Sequence, residues 1–266
     1  MLRSIEQTDT PSVIDFRRCD VAAKHGTQRW FDVRADPALI TASRLGEATG
    51  RSKCGSAYAV YEERAQGKKR TFGDFSRQSM ERGTRLEPAI IEHLRRQLAP
   101  HGWKVLGQAG LFIGAGEWKH HAATPDGFVV SPSGQVYVLE VKSRMHLDRL
   151  DAIPLQYAMQ MLSQMGCTGS NGAFYFSVTN HGGWRLFFMR RSAALEQWAR
   201  ATVLPAAERF VAAACGNRSP PPKKQRGRGD AVKCAEEAFR ESLTLVASDE
   251  RPVFADIGAA VAVLSE

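Results

Sequence analysis

The segment that most constrains the fold is QVYVLEVK, residues 135–142. Alternation places Val136, Val138, Glu140 and Lys142 on one face of a strand and Tyr137, Leu139 and Val141 on the other. Apolar side chains on both faces describe a strand covered from both sides, as at the centre of a layered α/β protein. A Glu and a Lys at the end of such a strand are costly unless they have partners. The ordinary use of a lone Glu-x-Lys is a salt-bridged pair at a fraying strand end, so the meaning of this one depends on what else the chain brings to it.

The flanking pattern supplies the layers. QRWFDVR (28–34) is predicted as a short helix, ITASRLGEATG (40–50) as another closed by Gly50, and 56–66 as a third. From Ser76 to Leu98, Leu86, Ile90, Leu94 and Leu98 recur every four residues, the period of a helix. Pro88 is expected to kink that helix or to open a second segment. Strands are predicted over 103–113, 121–130 and 135–142, the last two joined by SPSG. A helix follows over 153–166, ending at Gly166. Strands 171–178 and 183–190 pair around TNHGG, and a long helix covers 192–215. The expected architecture is α/β, with a central mixed sheet flanked by helices.

Two further carboxylates fall in suggestive places. Asp126, in TPDGF, precedes the 135–142 hairpin and can meet Glu140 at neighbouring strand ends. Glu87 lies on the helical stripe of Met80, Gly83, Ile91 and Leu94, where a purely structural pattern calls for an apolar residue. Taken singly, each has a structural explanation. Asp126 and Glu140, two hard oxygen ligands beside the Lys142 ammonium, suit Mg²⁺ and an attacking water, and Glu87 makes the set more specific than any one member.

Charge narrows the partner. The chain of 266 residues has 36 Lys and Arg against 28 Asp and Glu, a net charge of +8, which favours a polyanion such as nucleic acid. The stretch 217–229, NRSPPPKKQRGRG, is basic and Pro-rich and is predicted to be a linker. The expected organisation is a loose segment over 1–20, a folded domain over 21–216, and a linker and tail over 217–266, with one short helix near 231–247. The 5 cysteines are widely spaced and form no CxxC pair, against a zinc ribbon or a disulfide framework. No apolar run is long enough to span a bilayer. The first ten residues carry Glu6 and Asp9 and lack an apolar core, so the expected location is the cytoplasm.

TPDG…LEVK resembles the signature of the PD-(D/E)XK nuclease superfamily. RWFDVRADPALITASRLGEATG, RGTRLEPAIIEHL and YAMQMLSQM resemble successive blocks of the lambda exonuclease and YqaJ-like viral recombinase family. This resemblance spans roughly residues 25–200. It implies a restriction-endonuclease-like core and digestion of one strand of linear duplex DNA from its 5′ end, leaving 3′ overhangs for phage-type recombination. It implies that Asp126 and Glu140 bind Mg²⁺ with the Val141 carbonyl, two ions in all, with Mn²⁺ as a substitute. It implies that Lys142 orients or activates the water and that Glu87 supports the site. Arg34, Ser43 and Gln160 are implied to hold the terminal 5′-phosphate. The implied partners are duplex DNA with a 5′-phosphate, two further copies in a homotrimer, and a single-strand annealing protein, with no membrane. Glu117 stands out of register with a further acidic position of the family and is left outside the site.

Taken singly, Arg34 is explained by a surface ion pair with Asp32 or Asp36, Ser43 by a helix cap, and Gln160 by a solvated stripe with Gln156 and Gln164. His120 and His121 lack a third ligand at useful spacing and are read as structural or DNA-facing. The aromatics between 174 and 188 are read as core. The competing functions are a structure- or sequence-specific endonuclease of the same fold and a non-catalytic DNA-binding protein. The first needs no terminal-phosphate pocket, and the second needs no complete Glu87, Asp126, Glu140 and Lys142 set.

Overall fold

The computed structural model of the chain describes residues 12–52, 55–144, 153–179, 183–223, 228–240 and 242–249. Its strands are β1 (Cys19–Asp20), β2 (Ile40–Thr41), β3 (Lys104–Gly107), β4 (Leu111–Ile113), β5 (His121–Ala123), β6 (Gly127–Val130), β7 (Val136–Arg144), β8 (Gly172–Thr179), β9 (Trp184–Arg190) and β10 (Leu243–Asp249). Its helices are α1 (Gln28–Ala35), α2 (Leu45–Ala48), α3 (Ala57–Ala65), α4 (Asp74–Leu98), α5 (Leu155–Thr168), α6 (Ala193–Trp198), α7 (Leu204–Ala214) and α8 (Arg228–Arg240). Among the described residues no helix is long and apolar enough to cross a membrane.

β7 is central, as its two apolar faces require. It lies in a six-stranded sheet of order β10-β9-β8-β7-β6-β3, antiparallel to β6 and parallel to β8. Tyr137, Leu139 and Val141 pack with Ile90, Leu94 and Leu98 of α4. Val138 packs on the opposite face with Ala158, Met159, Leu162 and Met165 of α5. A parallel pair needs a crossover, and α5 is that crossover. The aromatics Phe174, Tyr175, Phe176, Phe187 and Phe188 are buried core residues.

Two expected strands are each divided between two sheets. Of 103–113, β3 joins the large sheet and β4 a second, four-stranded sheet of order β1-β4-β5-β2. Of 121–130, β5 joins the small sheet and β6 the large one. The breaks have local causes. Pro125 has no N–H to offer a ladder. At Gly110 an added Cβ would lie 2.5 Å from the Asp20 carbonyl oxygen, and at Gly127 it would lie 2.4 Å from that of Leu106. The chain therefore passes from one sheet to the other at Thr124-Pro125-Asp126.

Other boundaries move for equally specific reasons. α4 runs unbroken through Pro88. Thr84, whose carbonyl loses its helical donor there, is exposed and can turn to water. α5 ends at Gly169, which holds φ +83°, and not at Gly166. Gly166 is instead the notch for Trp118, whose ring atoms would lie 2.2 Å from an added Cβ. The 192–215 helix contains a π turn over Ala199–Val203, just ahead of Pro205.

The described residues toward each end of the chain pack more than their composition suggests, and residues 1–11 and 250–266 lie outside the described residues. Within 12–20, Ser12 donates from Oγ to the Val136 carbonyl at 2.8 Å and Ile14 is buried. The expected helix near 231–247 is α8 followed by β10, which pairs antiparallel with β9 at the sheet edge. Ala235 and Phe239 of α8 enter the main core, and Phe239 meets the Trp198 ring at 5.6 Å. Apolar spacing marked a helix there, but sheet extension depends on a free edge on β9. The expected linker residues 224–227 and the turn 180–182 lie outside the described residues.

Candidate active site

Asp126 leads into β6, and its backbone N–H donates to the Leu139 carbonyl at 3.1 Å. Its Oδ2 accepts from the Val141 N–H at 2.7 Å. These bonds straddle Glu140, which is why two residues 14 positions apart in sequence become neighbours. Glu140 is fully buried, and each of its oxygens has a donor: the Lys142 ammonium on Oε1, and Gln164 Nε2 on Oε2 at 2.6 Å. Lys142 Nζ also lies 5.3 Å from the centre of the Tyr157 ring.

Glu87 reaches the group from α4. With Asp126 it lines an open cavity of about 460 Å³ that also includes His25, Thr84, Ile91 and Gln108. Burial, then the Glu140 charge, raises the Asp126 pKa well above the ordinary carboxylate value, against the pull of Lys142. Burial also raises that of Glu87, with Lys142 opposing and Glu140 adding to the effect. Lys142 is the counterpart. Burial works against its charge, but Glu140 and Asp126 outweigh that and hold its pKa above the ordinary lysine value.

Among the described residues no three acidic, histidine or cysteine side chains converge as a ready-made metal cage. The fit to a hard cation lies in the donor type and in the charge. Asp126 and Glu87 are oxygen donors on one cavity, and the Glu140 charge opposes the ionisation of both. A divalent cation would let such groups ionise together.

The structure thus brings Glu87, Asp126, Glu140 and Lys142 together. Val141 contributes its N–H to Asp126. Arg34 makes neither expected surface ion pair: its guanidinium lies over the Trp30 ring at 4.1 Å. Burial, then the Arg64 and Arg44 charges, depress its pKa to about 10. Ser43 is exposed in the 3₁₀ turn Ala42–Arg44, and α5, which carries half-buried Gln160, packs against that turn. Trp30 Nε1 donates to Thr124 Oγ1 at 3.0 Å, joining this region to the Asp126 turn. Glu117 lies apart, paired with Arg200 at 2.9 Å. His121 is buried beside Trp118 with Nδ1 at 3.3 Å from Ser163 Oγ, and burial depresses its pKa to about 3, as befits a structural residue.

Gln164 is the site residue that sequence reasoning passed over. Its signal was the run Gln156, Gln160, Gln164, read as a solvated stripe. The run instead passes from exposed through half-buried to fully buried.

A buried Glu-x-Lys strand, an Asp at the sheet crossing and a Glu from the covering helix, on a mixed α/β core, define a nuclease with a restriction-endonuclease-like fold. The chain belongs to the YqaJ-like viral recombinase family, whose domain matches residues 29–171. It is similar to the alkaline exonuclease LHK-Exo from Laribacter hongkongensis, with 24% identity and a TM-score of 0.54 over 71% of this chain and 93% of that one. For LHK-Exo in complex with dAMP the values are 25% and 0.55, over 71% and 95%. No curated protein matches the chain in sequence.

Proposed function

We propose that the protein is a Mg²⁺-dependent exonuclease that degrades one strand of linear duplex DNA from a 5′-phosphate end. The observation that carries this reading is the link from Arg34 through Trp30 to Thr124 and Asp126. It joins a cation suited to a terminal phosphate to a carboxylate site suited to hydrolysis. Asp126, Glu140 and the Val141 carbonyl would hold the metal, with Mn²⁺ as a substitute. Bound metal lowers the pKa of water and offsets charge on the scissile phosphate and the leaving oxygen.

The chain's own residues do the rest. Lys142, held charged by Glu140, orients the attacking water toward phosphorus. Glu87, poised above the ordinary carboxylate range, supports the site through a water. Arg34, Ser43 and Gln160 hold the terminal phosphate, fixing which bond is presented. The related exonuclease solved with dAMP holds a mononucleotide, the kind of product this reaction releases. Assembly as a homotrimer around DNA, delivery of the 3′ overhang to a single-strand annealing protein, and work in the cytoplasm belong to the same reading.

The test uses end-labelled linear duplex and closed circular duplex, each with Mg²⁺ or with EDTA. Mononucleotides released from the linear substrate alone, only with Mg²⁺ and from the 5′-labelled strand, are expected. Nicked circles would make the protein an endonuclease, and binding without cleavage would make it a DNA-binding module.

A further inference from the structure

Arg34 is not the only cation at that end of the site without a carboxylate partner. Arg64, in the last turn of α3, donates from Nη2 to Thr41 Oγ1 at 3.3 Å. Among the described residues neither Arg34 nor Arg64 forms an ion pair with a carboxylate. Of the nearby acids, Glu63 and Glu47 are already engaged, and Asp36 accepts from the Ala38 N–H. Arg44 holds Glu63 at 2.9 Å and Glu47 at 3.3 Å, and Arg70 also holds Glu47, at 3.2 Å.

The position of Thr41 gives this surplus a direction. Thr41 is buried in β2, two residues before Ser43. β2 runs parallel to β5, with Thr41 opposite Ala122, two residues before Thr124. Arg64 is thereby tied to the turn that presents Ser43 and to the strand that leads into Asp126. Arg34 comes to the same region from α1, held by the indole that bonds Thr124. The two guanidiniums are near enough that the charge of Arg64 disfavours that of Arg34, and burial lowers the pKa of Arg64 itself. Glu63 favours both charges and Asp36 favours that of Arg64, but neither carboxylate bonds either guanidinium. Partly buried cations compensated only through space are costly, and a directly bonded anion relieves that cost.

The size of the surplus matches one ligand. An internal phosphodiester carries one negative charge, whereas a phosphate monoester carries about 1.5 to 2 at neutral pH. One guanidinium answers the first, and two answer the second. We propose that Arg64 is the second guanidinium of the terminal-phosphate site and acts with Arg34 to select a dianionic 5′ end. This rests on the 5′-end reading above and adds a specificity-determining residue to it.

The experiment compares wild type, Arg34→Ala, Arg64→Ala and Arg64→Lys on matched linear duplexes bearing 5′-phosphate or 5′-hydroxyl, at saturating Mg²⁺. Arg64→Ala is expected to lower kcat/KM on the 5′-phosphate substrate about 10- to 100-fold, the range for losing a hydrogen bond to a charged group. It should lower kcat/KM much less on the 5′-hydroxyl substrate. Arg64→Lys should recover part of the preference, since an ammonium restores the charge without the two-pronged geometry. If Arg64→Ala keeps the wild-type preference while Arg34→Ala loses it, the Arg64 assignment is wrong and the 5′-end reading stands. Equal losses on both substrates would make Arg64 a structural support for Thr41 and overturn the assignment. Wild type with no preference would overturn the 5′-end reading and this inference together.

Discussion

The indole N–H of Trp30 donates to the Thr124 hydroxyl at 3.0 Å while the same ring carries the Arg34 guanidinium at 4.1 Å. One side chain therefore sets the distance between a cation near one end of the site and the turn that delivers Asp126. Trp30→Phe keeps an aromatic face and loses the donor. The expected loss is about 1 kcal/mol, several-fold in kcat/KM on 5′-phosphorylated duplex. Trp30→Leu should lose about 0.5 to 2 kcal/mol more, because the cation–π contact goes as well. Steady-state kinetics with both variants measures this, and an unchanged Trp30→Phe enzyme would show that the bond positions nothing.

Gln164 donates to Glu140 Oε2 at 2.6 Å, and both side chains are fully buried. Gln164→Leu leaves one Glu140 oxygen without its donor. A loss of about 1.5 to 3 kcal/mol is expected, the range for a hydrogen bond to a charged group. It should appear in kcat far more than in KM, since fully buried Gln164 would hold the proposed catalytic carboxylate in place from beneath the surface that meets DNA. A pure KM effect would assign it to substrate binding.

Glu140→Gln and Lys142→Ala should each reduce cleavage about a hundredfold or more while duplex binding survives. Cleavage gels and a binding titration in Ca²⁺ check the two halves separately. Normal turnover in either variant would remove that residue from the reaction.

Asp126 has a pKa above the ordinary carboxylate value, because of burial and the Glu140 charge. A carboxyl whose folded pKa exceeds its unfolded one binds its proton more tightly in the folded state. Its ionisation therefore opposes folding, from the unfolded pKa of about 3.9 upward. In EDTA, Asp126→Asn should raise the melting temperature at pH 8, and the gain should shrink as pH falls toward 4. Thermal melts across that range test it, and a gain independent of pH would point to packing.

Phe239 and Ala235 lie in the main core, and β10 closes the β9 edge. Phe239→Ala should destabilise the fold by about 3 kcal/mol or more. Truncation after Cys215 should lower the melting temperature further, by stripping α8 from Trp198 and leaving the outer edge of β9 unpaired. Denaturant unfolding measures both, and an unaffected truncation would show that α8 and β10 contribute no stability.

What the sequence determined alone is what depends on neighbours in the chain. Strand alternation put Glu140 and Lys142 on one face of a doubly buried β7, and helical period marked the Ile90, Leu94 and Leu98 face of α4. It also brought Asp126 to the right strand end, since the turn between β6 and β7 is short. The tertiary structure decided which sheet each strand half joined, because alternation reports a strand's faces and never its partners. That choice created the crossing at Asp126. It decided that Gln164 touches Glu140 while Gln156 meets solvent, because three glutamines four residues apart look alike until β7 lies beneath one of them. It decided that Arg44 and not Arg64 takes Glu63, because the pairing of charges depends on distances across α2, α3 and β2 that sequence separation does not contain.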